Sequence, residues 1–138
     1  MSARTPRLLL ALSSLLAATG AVIHAVPFNH AVAAIAEANL RPFYGNSFKA
    51  LWLGDSTTLF MVAVVFALMA ARPSAATRTV VLLLALIPGA VAVLIYVFLG
   101  RFFASNMLLA ISALAFAAGL LFPASRRENE LPTQMNSI

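Results

Sequence analysis

Four long apolar stretches constrain this chain more than any other feature of its sequence. They occupy residues 8–26, 50–71, 79–100 and 102–122, and short segments with most of the charged residues separate them. An α-helix needs roughly 20 apolar residues to cross the hydrocarbon core of a bilayer. Each stretch has about this length, so the sequence predicts an all-α membrane protein with four transmembrane helices.

The composition supports this class and excludes several others. Hydrophobic residues make up 62% of the chain and charged residues 9%, whereas typical soluble domains have about 25% charged residues. Because cysteine is absent, disulfides, thiol relays and cysteine-ligated metal centres are excluded. The net charge of +5 lies on short flanks, without the basic and aromatic stripe of nucleic-acid binders. We therefore expect the lipid bilayer, and no nucleic acid, as a partner.

The turns between the last three stretches are short, which predicts an up-down helical bundle. We expect one domain over residues 1–125 and a flexible cytoplasmic tail at 126–138. An alternative for the first stretch is a signal peptide cleaved near Ala18-Thr19-Gly20, but its apolar run is long enough to span, which favours a retained helix.

The distribution of Lys and Arg predicts the orientation of the bundle. If the N-terminus is inside, three basic residues lie outside (Arg41, Lys49 and Arg101) and six lie inside (Arg4, Arg7, Arg72, Arg78, Arg126 and Arg127). We therefore expect a multi-pass protein with both termini cytoplasmic. Eight of the nine basic residues are Arg, a usage that hints at a GC-rich bacterial genome and hence at the bacterial inner (plasma) membrane.

The segment between the first two stretches has a different pattern. Pro27 and Pro42 frame about eleven residues at 30–40 that are too few to span and that place apolar and polar side chains on different sides. This pattern predicts a short amphipathic helix in the first outer loop, lying in the membrane interface or over the mouth of the bundle. Asn29 and Asn46 are placed as N-caps for this helix and for the second span. Candidate residues of a lid formed by this loop are His30, Glu37, Arg41 and Lys49.

Asp55 lies where a charge is costly. Counting back from Ala71, a full-length span has to begin near Leu51, which places Asp55 inside the membrane boundary. A charged side chain costs about 2.5–3.5 kcal/mol at the bilayer centre and less near the edge, so such a residue indicates a site. Arg101 lies at the same expected depth as Asp55, and its guanidinium is suited to a bidentate hydrogen bond with a carboxylate. We expect an Asp55–Arg101 ion pair, with His24 or Tyr96 as a further hydrogen-bond partner.

Other polar residues concentrate near the same outer ends of the spans. Polar groups without water have to find each other, so we expect an outer-leaflet polar cluster beneath the loop at 27–46. The candidate residues of this cluster are His24, Asp55, Tyr96, Arg101 and Asn106. Ser13, Ala17 and Gly20 share a face of the first helix with His24, a pattern typical of a packing seam.

The sequence offers no set of residues for metal or covalent chemistry. His24 and His30 are six residues apart with Pro27 between them, and only Glu37 or Asp55 could serve as a third ligand. No nucleophile–base pair can be named. We expect no metal and no cofactor, assign no catalytic residue, and lean against an enzyme.

The layout resembles the DoxX-like small four-helix proteins of the bacterial inner membrane. The similarity lies in the size, the four spans, the longer first outer loop and the basic-aromatic start Lys49-Ala-Leu-Trp52 of the second span. It implies a four-helix membrane fold and, through some relatives, a quinone or oxidative-stress context. It contains no diagnostic motif, so it assigns no site residues.

Two functions follow as expectations. The first is an accessory or interaction protein that packs against itself, as a homo-oligomer, or against a larger membrane complex, with the polar cluster purely structural. The second is a binder or carrier of a small amphiphile, a quinone or a lipid, that enters from the outer leaflet. Tight packing with Asp55 bonded to Arg101 favours the first function. A cavity lined by His24, Asp55, Tyr96 and Asn106 favours the second.

Overall fold

The computed structural model describes residues 4–122, so the tail predicted at 126–138 lies outside the described residues. The described part is all-helical, as predicted, and no strand occurs between residues 4 and 122. Its elements are α1 (Arg4–Ala25), α2 (Phe28–Glu37), α3 (Pro42–Ala71), a 3₁₀ turn (Pro73–Ala75), α4 (Arg78–Leu99) and α5 (Phe103–Leu121).

Four of these helices, α1, α3, α4 and α5, are long and apolar enough to cross a membrane. The protein is therefore a small multi-pass membrane protein, and the predicted number of spans is confirmed. Large apolar side chains remain exposed along all four helices, as expected for surfaces that face lipid; they include Leu15, Leu68, Leu83 and Leu120.

Two helix starts differ from the prediction, and each has a proline at or directly before the first residue. Helix α3 begins at Pro42, eight residues before the expected span, because proline has the helical φ and needs no hydrogen-bond donor at the first position. Asn46 therefore lies inside α3 and is no cap. Helix α2 begins at Phe28 after Pro27, without a side-chain cap, so Asn29 lies in its first turn. Both predicted asparagine caps are wrong.

Helix α1 is central to the packing, because it contacts both α3 and α5, while α5 also contacts α4. Helices α1 and α3 run in opposite directions. Arg7, early in α1, bonds to Ala70, late in α3, whereas His24, late in α1, bonds to Ser56, in the first half of α3.

A face of small residues lets α1 pack this closely. Ser13, Ala17 and Gly20 are all buried, as their spacing predicted. A Cβ atom added to Gly20 would lie 2.5 Å from the Met107 Cε and 3.0 Å from the Leu59 Cδ2. The missing side chain at Gly20 thus brings α3 and α5 against the backbone of α1.

Hydroxyl groups supply hydrogen bonds between the helices. Ser13 donates to the Ile111 carbonyl at 3.0 Å, and Ser14 donates to the Ala63 carbonyl at 2.7 Å. Ser112 donates to the Ala85 carbonyl at 2.7 Å, next to the Leu84 carbonyl that Pro88 leaves without its helical donor. Because the bilayer core contains no water, these bonds satisfy hydroxyl and carbonyl groups that would otherwise have no partner.

Helix α3 has no comparable packing against α4 among residues 4–122, although the two are joined by a short turn. Helix α3 packs on α1 instead, and α4 packs on α5. This arrangement leaves space between α3 and α4 at the end of the bundle where α1 ends, which we call the His24 end.

Candidate ligand site at the His24 end

The site begins with the last turn of α1, which places His24 against α3. The imidazole of His24 stacks on the indole of Trp52, with the ring centroids 4.6 Å apart and the planes inclined by 23°. The indole Nε1 donates to the backbone carbonyl of His24 at 2.8 Å. Carbonyls in the last turn of a helix lack a helical donor, so Trp52 satisfies one of them while it orients the ring.

A buried serine holds the other side of the imidazole. The Nδ1 atom of His24 lies 2.8 Å from the Ser56 Oγ, and the Ser56 hydroxyl lies 3.3 Å from the Trp52 carbonyl oxygen. The hydroxyl can give its single proton either to this carbonyl or to Nδ1, so the Nδ1–Ser56 bond forms with either tautomer of the imidazole. The second ring nitrogen, Nε2, faces away from Ser56.

Asp55 faces this second nitrogen. Its Oδ2 atom lies 3.6 Å from the Nε2 of His24, and the side chains of Asp55 and His24 are 38% and 29% exposed. A carboxylate accepts hydrogen bonds and does not donate them, so it bonds to Nε2 when this nitrogen carries a proton. Its two oxygens accept several donors, so a donor from another molecule can bond to the same carboxylate.

A cavity of about 610 Å³ adjoins this pair. Small-molecule sites in proteins typically enclose about 300–1,000 Å³ and are mostly apolar with a few polar groups. His24, Trp52 and Asp55 form the polar part of the wall, and the rest is apolar. The apolar wall comes from α1, α3, α4, α5 and the turn before α5, with Ile23, Leu51, Ile95, Leu99, Phe102, Phe103, Met107 and Leu108 among its residues.

The expected Asp55–Arg101 ion pair is not formed. Among residues 4–122, the carboxylate of Asp55 lies within 4.0 Å of only one basic side chain, that of His24. Gly100 explains the difference, because its φ of 76° ends α4 in a left-handed conformation that favours glycine. Arg101 follows outside the helix, with an exposed side chain.

Tyr96 and Asn106 form a separate pair. The Tyr96 hydroxyl donates to the Oδ1 of Asn106 and links α4 to α5. Neither residue lines the cavity. Of the five residues predicted to cluster, the structure brings together His24 and Asp55, joins Tyr96 and Asn106 elsewhere, and leaves Arg101 apart from both.

The predicted lid residues also lie away from the cavity. Helix α2 packs on the part of α3 that projects beyond the end of α1, where a Cβ on Gly45 would lie 3.4 Å from the Ile35 side chain. His30, Glu37 and Arg41 are exposed, and Lys49 is half-buried. None of these four lines the cavity, and Pro27 is the one residue of this loop that does.

Sequence reasoning missed two residues of the site. They are Trp52 and Ser56, which are not among the predicted site residues. Their spacing from Asp55 was a usable signal, because residues 52, 55 and 56 lie on one face of a helix.

Within residues 4–122, no three His, Asp or Glu side chains form a group that could hold a metal ion. The chain matches no protein-family model, and comparisons with curated proteins and with solved structures also find no match.

Proposed function

We propose that this protein binds a small amphiphile in the cavity at the His24 end. The observation that carries the proposal is the position of His24 and Asp55 in the wall of an otherwise apolar cavity of about 610 Å³. The apolar part of the ligand lies among side chains of α4 and α5, such as Ile95 and Met107. Its head group lies at the His24–Asp55 pair.

The carboxylate at this pair defines the head group. Asp55, 3.6 Å from the Nε2 of His24, has oxygens that accept hydrogen bonds and cannot donate them. A hydroxyl or amine donates to such acceptors, whereas an ether or ester cannot. The ligand is therefore a neutral or cationic amphiphile with a hydrogen-bond donor, and a quinol fits this chemistry better than a quinone.

The proposed placement in the membrane follows from the helix directions. The four spans form an up-down bundle, with the Lys and Arg bias placing both termini in the cytoplasm of a bacterium and the His24 end in the outer leaflet. Helix α2 lies in the outer interface, with His30 and Glu37 exposed and Ile35 against α3. The ligand enters from the outer leaflet between exposed apolar residues of the cavity rim, Leu51, Leu99 and Phe103.

The accessory role, our first expectation, has less support. It depended on tight packing around an Asp55–Arg101 pair, and Asp55 instead borders a cavity beside His24. We therefore prefer the amphiphile-binding function.

Native mass spectrometry of the purified protein tests the proposal. The probes are dodecanol and dodecyl methyl ether, which differ in the donor. A hydrogen bond to a charged group contributes about 1.5–3 kcal/mol, so we expect the alcohol to be retained at least about tenfold better than the ether.

The matched variants are Asp55→Asn and Glu37→Gln, which replace a carboxylate inside and outside the cavity, respectively. Asp55→Asn should reduce the preference for the alcohol and leave the thermal melt in detergent nearly unchanged, whereas Glu37→Gln should change neither. Equal retention of alcohol and ether by the wild type, or an unchanged preference in Asp55→Asn, would contradict the proposal.

A further inference from the structure

A second groove lies at the opposite end of the bundle, on the outside of the α1–α3 pair. It has a volume of about 680 Å³. Arg4 and Arg7 line one end, and no acidic residue among the described ones lines it. The remainder is almost entirely apolar, with small side chains of both helices, such as Ala11 and Ala67, forming much of its wall.

Arg7 is held in place at this end of the groove. Its Nε donates to the Ala70 carbonyl at 2.9 Å, in the last turn of α3, where carbonyls lack helical donors. This bond uses one of the five N–H groups of the guanidinium and leaves the four on its terminal nitrogens for a ligand. A guanidinium fixed in this way can form a bidentate hydrogen bond with two oxygens of a phosphate.

The apolar part of the groove is about as long as one leaflet of the hydrocarbon core is thick. From Leu8 to Ala18 the groove follows α1 for ten residues, about 15 Å at 1.5 Å per residue. This length is half of the hydrocarbon core, which is about 30 Å thick. A lipid phosphate at the arginines would thus place an acyl chain along the groove as far as the bilayer midplane.

We propose that this groove is a binding site for an anionic phospholipid. The phosphate lies at Arg7 and Arg4, and one acyl chain lies between α1 and α3 along Ala11 and Ala67. A zwitterionic lipid would place its own cation near the two arginines, so the site selects a head group with net negative charge. The site is independent of the cavity, since Arg7 and His24 are 17 residues apart on α1, about 26 Å.

The test is native mass spectrometry with an equimolar mixture of phosphatidylglycerol and phosphatidylcholine that have the same acyl chains. We expect the wild type to retain phosphatidylglycerol about fivefold better than phosphatidylcholine. Arg7→Gln should abolish the preference. Arg101→Gln, which removes an exposed arginine outside the groove, should keep it.

A second variant fills the groove without touching the arginines. Ala11 is exposed and lines the groove, so Ala11→Leu should fold normally and lower the retention of phosphatidylglycerol about fivefold. This variant tests the site even if Arg7→Gln loses stability. Equal retention of the two lipids by the wild type, or unchanged retention in Ala11→Leu, would overturn the proposal.

Discussion

Trp52 holds His24 by two different parts at once: its ring stacks on the imidazole with centroids 4.6 Å apart, and its Nε1 donates to the backbone carbonyl of the same residue at 2.8 Å. The backbone bond fixes the end of α1 against α3, and the stacked ring restricts the imidazole to the orientation in which Nε2 faces Asp55. The polar wall of the cavity is therefore ordered before any ligand arrives, which lowers the entropic cost of binding.

The bond from Trp52 should contribute measurably to stability. Trp52→Phe keeps an aromatic ring beside His24 but removes the donor, so we expect a loss of about 1 kcal/mol in the free energy of unfolding. Denaturation in a graded mixture of mild detergent and dodecyl sulfate, followed by circular dichroism, measures this change. Tyr44→Phe is the control, because the Tyr44 side chain is exposed. A loss as large in the control would argue against the specific role of Trp52.

Two glycines in the spans should respond in opposite ways to alanine. At Gly119 the new Cβ would lie 2.9 Å from the Leu82 Cγ, an atom close to the backbone of α4, whereas at Gly54 it would meet no atom within 4 Å. Overpacking costs about 1–3 kcal/mol, while Gly→Ala at an open helical position gains up to about 1 kcal/mol. Gly119→Ala should therefore lower the unfolding free energy, and Gly54→Ala should leave it equal or raise it. Equal effects at both positions would contradict the close packing of α5 against α4.

The number and class of the helices could be predicted because they depend on local properties. A run of about 20 apolar residues crosses a membrane whatever surrounds it. That Asp55 lies against His24 and not against Arg101 could not be predicted in the same way. Depth in the bilayer follows from counting residues, but lateral contact depends on which helices pack together, and α3 packs against α1 rather than α4. The cavity between α3 and α4 follows from the same packing.

The hydroxyl of Ser112 should matter more than an ordinary hydroxyl in a span. It donates to the Ala85 carbonyl of another helix, whereas the Thr57 hydroxyl donates to the Leu53 carbonyl of its own helix. Hydrogen bonds between membrane helices contribute about 0.6 kcal/mol on average and up to about 1.7 kcal/mol. We expect Ser112→Ala to lower the unfolding free energy by about 0.6–1.7 kcal/mol. Thr57→Ala should have little effect. A larger loss in Thr57→Ala would contradict the role of Ser112 beside the Pro88 turn.

The absence of cysteine makes the proposed orientation straightforward to test. Asn39→Cys and Ser74→Cys place single thiols in two exposed turns, after α2 and in the 3₁₀ turn before α4. In intact cells, a membrane-impermeant maleimide should label Asn39→Cys, and it should label Ser74→Cys only after the membrane is permeabilised. The reverse pattern would place both termini outside.

The central claim, that the cavity at the His24 end binds an amphiphile, is tested most directly through Trp52, the single tryptophan of the chain and part of the cavity wall. The measurement is the fluorescence of Trp52 in detergent during a titration with brominated dodecanol, whose bromine quenches only at short range. We predict quenching that saturates, that unbrominated dodecanol reverses, and that weakens in Asp55→Asn but not in Glu37→Gln. Quenching that rises linearly with the mole fraction of the probe, equally in all three proteins, would contradict the account.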